Sequence, residues 1–146
     1  MYIPFLLYAY VFPFSDSRFG LSDQTALGQL AVSLYIAVGG TNDPDEAIGF
    51  LSAYGIPPAD SADTPLTRED LSLYLYCFCE AMGVPVDEYP MECYTDTAEV
   101  TEGLEGYIGC MLMYGLVQPV SEGVFAPSSP ATVQDLCNSL YVLFAE

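Results

Sequence analysis

The 146-residue chain contains no histidine, no lysine and no tryptophan, and Arg18 and Arg68 are its only cationic side chains. Without histidine, neither a Ser–His–Asp triad nor a His-containing zinc site can be assembled. No GxxxxGK loop is present to cradle phosphate. Against the two arginines stand 20 acidic residues, giving a formal charge of −18. That surface repels a nucleic-acid backbone and an anionic membrane. Twenty carboxylates place acidic pairs everywhere, so such pairs do not single out a catalytic site. The expectation is a protein that is not an enzyme, with no cofactor. The acidic stretches Thr41–Glu46 and Asp60–Asp63 offer oxygen ligands suited to calcium. Neither has EF-hand spacing, and both read as solvated loops, so no metal is expected.

Long apolar runs are also missing. Tyr2–Phe14 is apolar but too short to span a bilayer, and it lacks the positive flank of a signal peptide. It reads as the first helix of the domain, and no membrane insertion is expected. The cysteines, Cys77, Cys79, Cys93, Cys110 and Cys137, are odd in number and form neither a CxxC motif nor a zinc cluster. They read as small buried hydrophobes. At most one intrachain disulfide is expected, and Cys79–Cys110 is one conceivable pair.

What the chain does have is apolar content, 52% with 12 tyrosines and 8 phenylalanines, enough to exclude disorder despite the charge. It also has internal repeats. At a constant offset of 106, Leu6, Tyr8, Val11, Pro13, Ser15 and Phe19 meet Leu112, Tyr114, Val117, Pro119, Ser121 and Phe125. The register continues without a gap: Leu30, Ser33, Leu34 and Tyr35 meet Leu136, Ser139, Leu140 and Tyr141. A shorter middle copy matches Ser52–Ile56 to Leu112–Leu116 and Asp70–Tyr76 to Asp135–Tyr141. The copies span approximately 1–39, 40–83 and 84–146 of a single domain, and each reads helix, turn-rich loop, helix.

Local signals place six helices near residues 3–12, 26–38, 44–55, 67–82, 100–115 and 132–144. Pro44 suits a first turn, followed by Asp45 and Glu46 at the favourable end of the dipole. Thr67 with Asp70 forms an approximate capping box, and Thr132 caps the final helix. Leu71, Leu75, Phe78 and Met82 recur at helical spacing, and Gly83 supplies the stop. One helix pair buries little apolar surface, so the copies are expected to share one core. Tyr35, Tyr76 and Tyr141 recur at matched positions and read as packing residues; Tyr74 and Tyr107 do not recur and read as surface candidates. Only very short β pieces are expected, in the loops.

These repeats resemble S-layer homology (SLH) repeats of bacterial cell-surface proteins. Phe125 and Pro127 match the family's turn, and Thr132 and Asp135 match its helix start. Leu66–Asp70, "LTRED", matches the threonine–arginine and acidic places directly. The opening aromatic-x-aspartate appears as Tyr94–Asp96. The family's early tryptophan is missing.

The resemblance implies an all-α, three-armed spindle around a shared helical bundle. It implies a secreted, non-catalytic module on the outer face of a bacterial cell. Its role would be to anchor an exported protein to anionic, often pyruvylated, secondary cell-wall polysaccharide. Arg68 would grip a carboxylate with its guanidinium fork. Thr67, Gly55 and Tyr54 are its motif-defined companions. The equivalent places in the other copies are Leu27 and Val133, which offer no charge. The alternative is therefore a degenerate SLH-like scaffold mediating protein–protein contacts in the envelope. For Arg68 the competing structural role is pairing with Glu69, Asp70 or another surface carboxylate.

Overall fold

Helices form here where the sequence supplies a start, an apolar face and a stop. A computed structural model describes residues 23–53 and 63–144. Among them are five α-helices: α1 (Leu27–Ala37), α2 (Pro44–Ala53), α3 (Arg68–Ala81), α4 (Glu105–Met113) and α5 (Val133–Phe144). The described residues are all-α, and their extended pieces are isolated bridges without a sheet. Five expected helices lie where the periodicity puts them, while the one at 3–12 falls outside the described residues. α4 begins later than expected. A 3-10 turn at Thr97–Glu99, extended Val100 and left-handed Gly103 occupy the approach instead.

The starts of α3 and α5 follow one design. Thr67 Oγ1 accepts from the Asp70 amide at 3.3 Å, and the Asp70 carboxylate accepts from the Thr67 amide at 3.1 Å. Thr132 and Asp135 repeat the exchange at 3.1 and 3.0 Å. These reciprocal bonds satisfy amides that the helix itself leaves unpaired. At α1 the cap is Ala26, which has no side-chain oxygen. Gln29 Oε1 alone accepts from the Ala26 amide there, at 3.0 Å. The stops share a design too. Gly39, Gly83 and Gly115 all adopt positive φ just past α1, α3 and α4. Behind them Gly40, Val84 and Leu116 donate to the carbonyls of Tyr35, Cys79 and Met111 at 2.8–2.9 Å, closing Schellman turns.

Backbone contacts divide the chain into two compact units. The first holds α1, α2 and α5 with the segment 63–66, and buries Leu27, Leu30, Leu34, Leu51, Leu136 and Leu140. α1 packs on α2, with Tyr35 stacked on Phe50 at a 5.1 Å centroid separation. In this unit Thr25, Leu66 and Ala131 form a closed hydrogen-bond ring, each standing one residue before a helix cap, Ala26, Thr67 or Thr132. Thr25 donates to Ala131 (2.8 Å), Ala131 to Leu66 (3.0 Å), and Leu66 back to Thr25 (3.0 Å). All three are buried, and every amide and carbonyl of the ring is paired within it. The first residues of α1 and α5 follow the same rule one step on: Leu27 donates to Thr64 and Val133 to Asp23.

The second unit, residues 67–130, holds α3, the 3-10 turn and α4 around Leu71, Leu75, Phe78, Ile108, Met111 and Phe125. Here Arg68 opens α3 by donating its amide to Ser129 at 2.9 Å. α3 and α4 run in the same direction. Glu69, near the start of α3, binds the Thr101 amide ahead of α4; the Tyr76 and Tyr107 rings meet midway. The Tyr114 hydroxyl, just past α4, donates to the Pro85 carbonyl, just past α3. The Tyr89–Pro90 backbone crosses α4 at Gly109, where an added Cβ would fall 1.9 Å from the Tyr89 carbonyl oxygen.

The tyrosines depart from their sequence reading. Tyr76 is buried and Tyr35 is half-buried, but their counterpart Tyr141 is 54% exposed. Tyr74, expected at the surface, is buried on the core-facing side of α3, and Tyr107 is half-buried against Tyr76. Position within a copy does not fix burial, because each copy's helices meet different neighbours.

Candidate functional site

Arg68 is the first residue of α3, and Thr67 is its cap. The local sequence therefore fixes where the guanidinium begins, and the second unit determines where it ends. It points inward: Arg68 is only 6% exposed. Its Nε donates to the Phe125 carbonyl at 2.8 Å, its Nη2 donates to the Gln118 carbonyl, and its Cζ lies 4.7 Å from the Phe125 ring centroid. A guanidinium buried this way is held by charge-assisted hydrogen bonds and a cation–π contact.

The same backbone segment is held from its amide side by Asp96. Its carboxylate accepts from the Phe125 amide at 3.1 Å and the Ala126 amide at 2.7 Å. Ala126 sits at φ 61, and both amides thereby point at one carboxylate. Arg68 and Asp96 thus grip opposite polar faces of one turn. Glu69 adds a further strap, accepting from the Thr101 amide and hydroxyl while its own amide donates to Pro127.

Of the four residues proposed to contact ligand, Thr67 and Arg68 are adjacent at the start of α3, while Tyr54 and Gly55 lie outside the described residues. The Thr67 hydroxyl is engaged in capping. Sequence reasoning named Phe125 and Asp96 as motif positions but gave neither a role toward Arg68. Their separation along the chain hid the cluster, although the "YTD" and "GVFAP" motifs were its visible signal.

A separate groove of about 350 Å³ lies in the second unit, lined by Tyr89, Met91, Cys93, Tyr94, Gly109 and Met113 among others. Met113 is 58% exposed at its rim, and burial raises the Tyr94 hydroxyl above its ordinary pKa. Arg68 takes no part in its lining. Among the described residues, no helix is long and apolar enough to cross a membrane, and no group of three or more His, Cys, Asp or Glu side chains is placed to hold a metal ion. A scan against protein-family models finds no match, and a search of curated proteins finds none either.

Proposed function

We propose that this chain is a non-catalytic module of the bacterial cell envelope, a divergent SLH-like domain with three helix pairs in a three-armed arrangement. Its role is that of a scaffold making protein contacts, rather than a receptor for anionic wall polysaccharide. The hydrogen-bond ring of Thr25, Ala131 and Leu66 is the observation that supports a three-part arrangement, and the sequence motifs supply its SLH-like reading. The three sequence copies contribute one matched residue each to a closed cycle, an arrangement that suits three related parts. The geometry of Arg68 bears on the role. Its guanidinium is directed to the Phe125 and Gln118 carbonyls and kept from solvent. A carboxylate ligand would have to displace those partners and would approach a chain of net charge −18.

Wall docking through Arg68, Thr67, Gly55 and Tyr54 is the competing reading, and the SLH resemblance is its support. Incubating the tagged domain separately with purified wall sacculi and with wall-free envelope protein tests the choice. Retention by envelope protein, with none by sacculi at low salt, is expected. Saturable retention by sacculi that depends on their pyruvyl groups would overturn the scaffold assignment.

A further inference from the structure

Two of the five cysteines, Cys79 and Cys110, lie on helices that pack against each other. Glu69–Thr101, Tyr76–Tyr107 and Pro85–Tyr114 are successive contacts along α3 and α4, so the two helices advance together. Tyr76 and Tyr107 meet with ring centroids 4.6 Å apart. Cys79 stands one turn beyond Tyr76 on α3, and Cys110 one turn beyond Tyr107 on α4. In each helix the two positions share a face. The equal step carries both thiols onto the contact line between the rings and the Pro85–Tyr114 hydrogen bond. Both are excluded from water, Cys79 at 1% exposure and Cys110 at 0%. Burial, with Cys110 adding to it, pushes the Cys79 thiol up to about 11, which independently puts the two sulfurs within electrostatic reach. Cys93 is exposed, and Cys77 and Cys137 are half-buried.

We infer that Cys79 and Cys110 are a disulfide-forming pair that, once oxidised, staples α3 to α4. The oxidant is a low-molecular-weight disulfide, RSSR. One cysteine thiolate attacks RSSR, forming a mixed disulfide and releasing RS⁻. The second cysteine thiolate attacks the protein sulfur of that mixed disulfide, forming the Cys79–Cys110 bond and releasing the second RS⁻. The two thiol protons end on the two released RSH, so RSSR is reduced as the dithiol is oxidised. Deep burial and a raised thiol pKa suppress the thiolate in the folded chain. Exchange therefore takes place during folding, before α3 and α4 close over the sulfurs. The finished bond is then shielded from reductants. The inference does not depend on the proposed function, since any oxidising compartment supplies the chemistry.

The test is to refold the reduced full chain in a mixture of reduced and oxidised glutathione, alkylate it under denaturing conditions and cleave after glutamate. The expected product is fragment 70–80 joined to fragment 106–122, with the remaining cysteines alkylated. Because Cys77 shares the first fragment, the link is expected to survive Cys77→Ser and to vanish in Cys79→Ser. Reduction should lower the thermal midpoint of the wild-type chain and leave that of Cys79→Ala unchanged. Recovery of five alkylated cysteines from the wild-type chain, or a link that survives Cys79→Ser, would overturn the pairing. The wild-type fragment map decides even where a variant folds poorly.

Discussion

Arg68 holds the Phe125 carbonyl of one turn and Asp96 holds its amides, so removing either leaves the buried Phe125 backbone short of a partner. Arg68→Ala strands the buried Phe125 carbonyl and empties the space against the Phe125 ring, and should cost about 3 kcal/mol in urea unfolding. Asp96→Ala strands two amides and should cost about 2 kcal/mol. A loss below about 0.5 kcal/mol from either, the range of ordinary surface substitutions, would contradict this account. Ala126 is the strained residue of the same turn, since its φ of 61 crowds Cβ against the neighbouring carbonyl oxygen. Glycine relieves that strain but adds freedom to the unfolded chain. Ala126→Gly is therefore expected to leave stability unchanged or raise it by up to about 1 kcal/mol. A clear loss would show that the methyl group packs favourably. The motifs marked Asp96 and Phe125 in the sequence, but their meeting with Arg68 was not legible there. An arginine beside two acids reads as a surface ion pair, and only tertiary structure brings the Phe125 carbonyl to the guanidinium.

Helix starts and stops were the most legible elements, because their chemistry is local. Thr67 and Thr132 cap as read, and Gly83 stops α3 as read. Thr67→Ala and Thr132→Ala should each cost about 1 kcal/mol by chemical denaturation, with little change in the other's effect. The first copy makes the reverse case. Ala26 is half-buried and has no side-chain oxygen, so the Gln29 amide bonds the Ala26 carbonyl at 3.1 Å instead, and Ala26→Thr should gain up to about 1 kcal/mol. A loss at that position would mean that the added side chain does not fit its surroundings. The late start of α4 was not legible. Leu104, Ile108, Met111 and Leu112 have helical spacing, but periodicity does not register the turn that Gly103 imposes. The ring of Thr25, Ala131 and Leu66 escaped notice for another reason. It is made of backbone groups, and its residues share no side-chain type.

At the scale of the whole molecule, charge and burial set the response to solution conditions. The Cys79 thiol ordinarily titrates near 9, and burial first and Cys110 second push it up to about 11. Cys77, Cys110 and Cys137 move the same way, each chiefly through burial. The folded state thus keeps protons that the unfolded state releases. The stability tied to Cys79 is fully present below about pH 9 and is lost as pH rises towards 11. The reduced chain should show a falling thermal midpoint over that window. The fall should be shallower in Cys79→Ala, and an equal fall in that variant would contradict the linkage. Composition foretold the acidic surface and the repeats foretold the helices, but neither could say whether Arg68 faces solvent. The most direct test of the scaffold account is therefore calorimetric titration of the folded domain with soluble pyruvylated wall fragments at physiological ionic strength, where the long-range repulsion from the chain's net charge of −18 is screened. The account predicts no saturable heat, and the same null result with depyruvylated fragments. Saturable binding that requires the pyruvyl carboxylate and disappears in a folded Arg68→Met variant would contradict it.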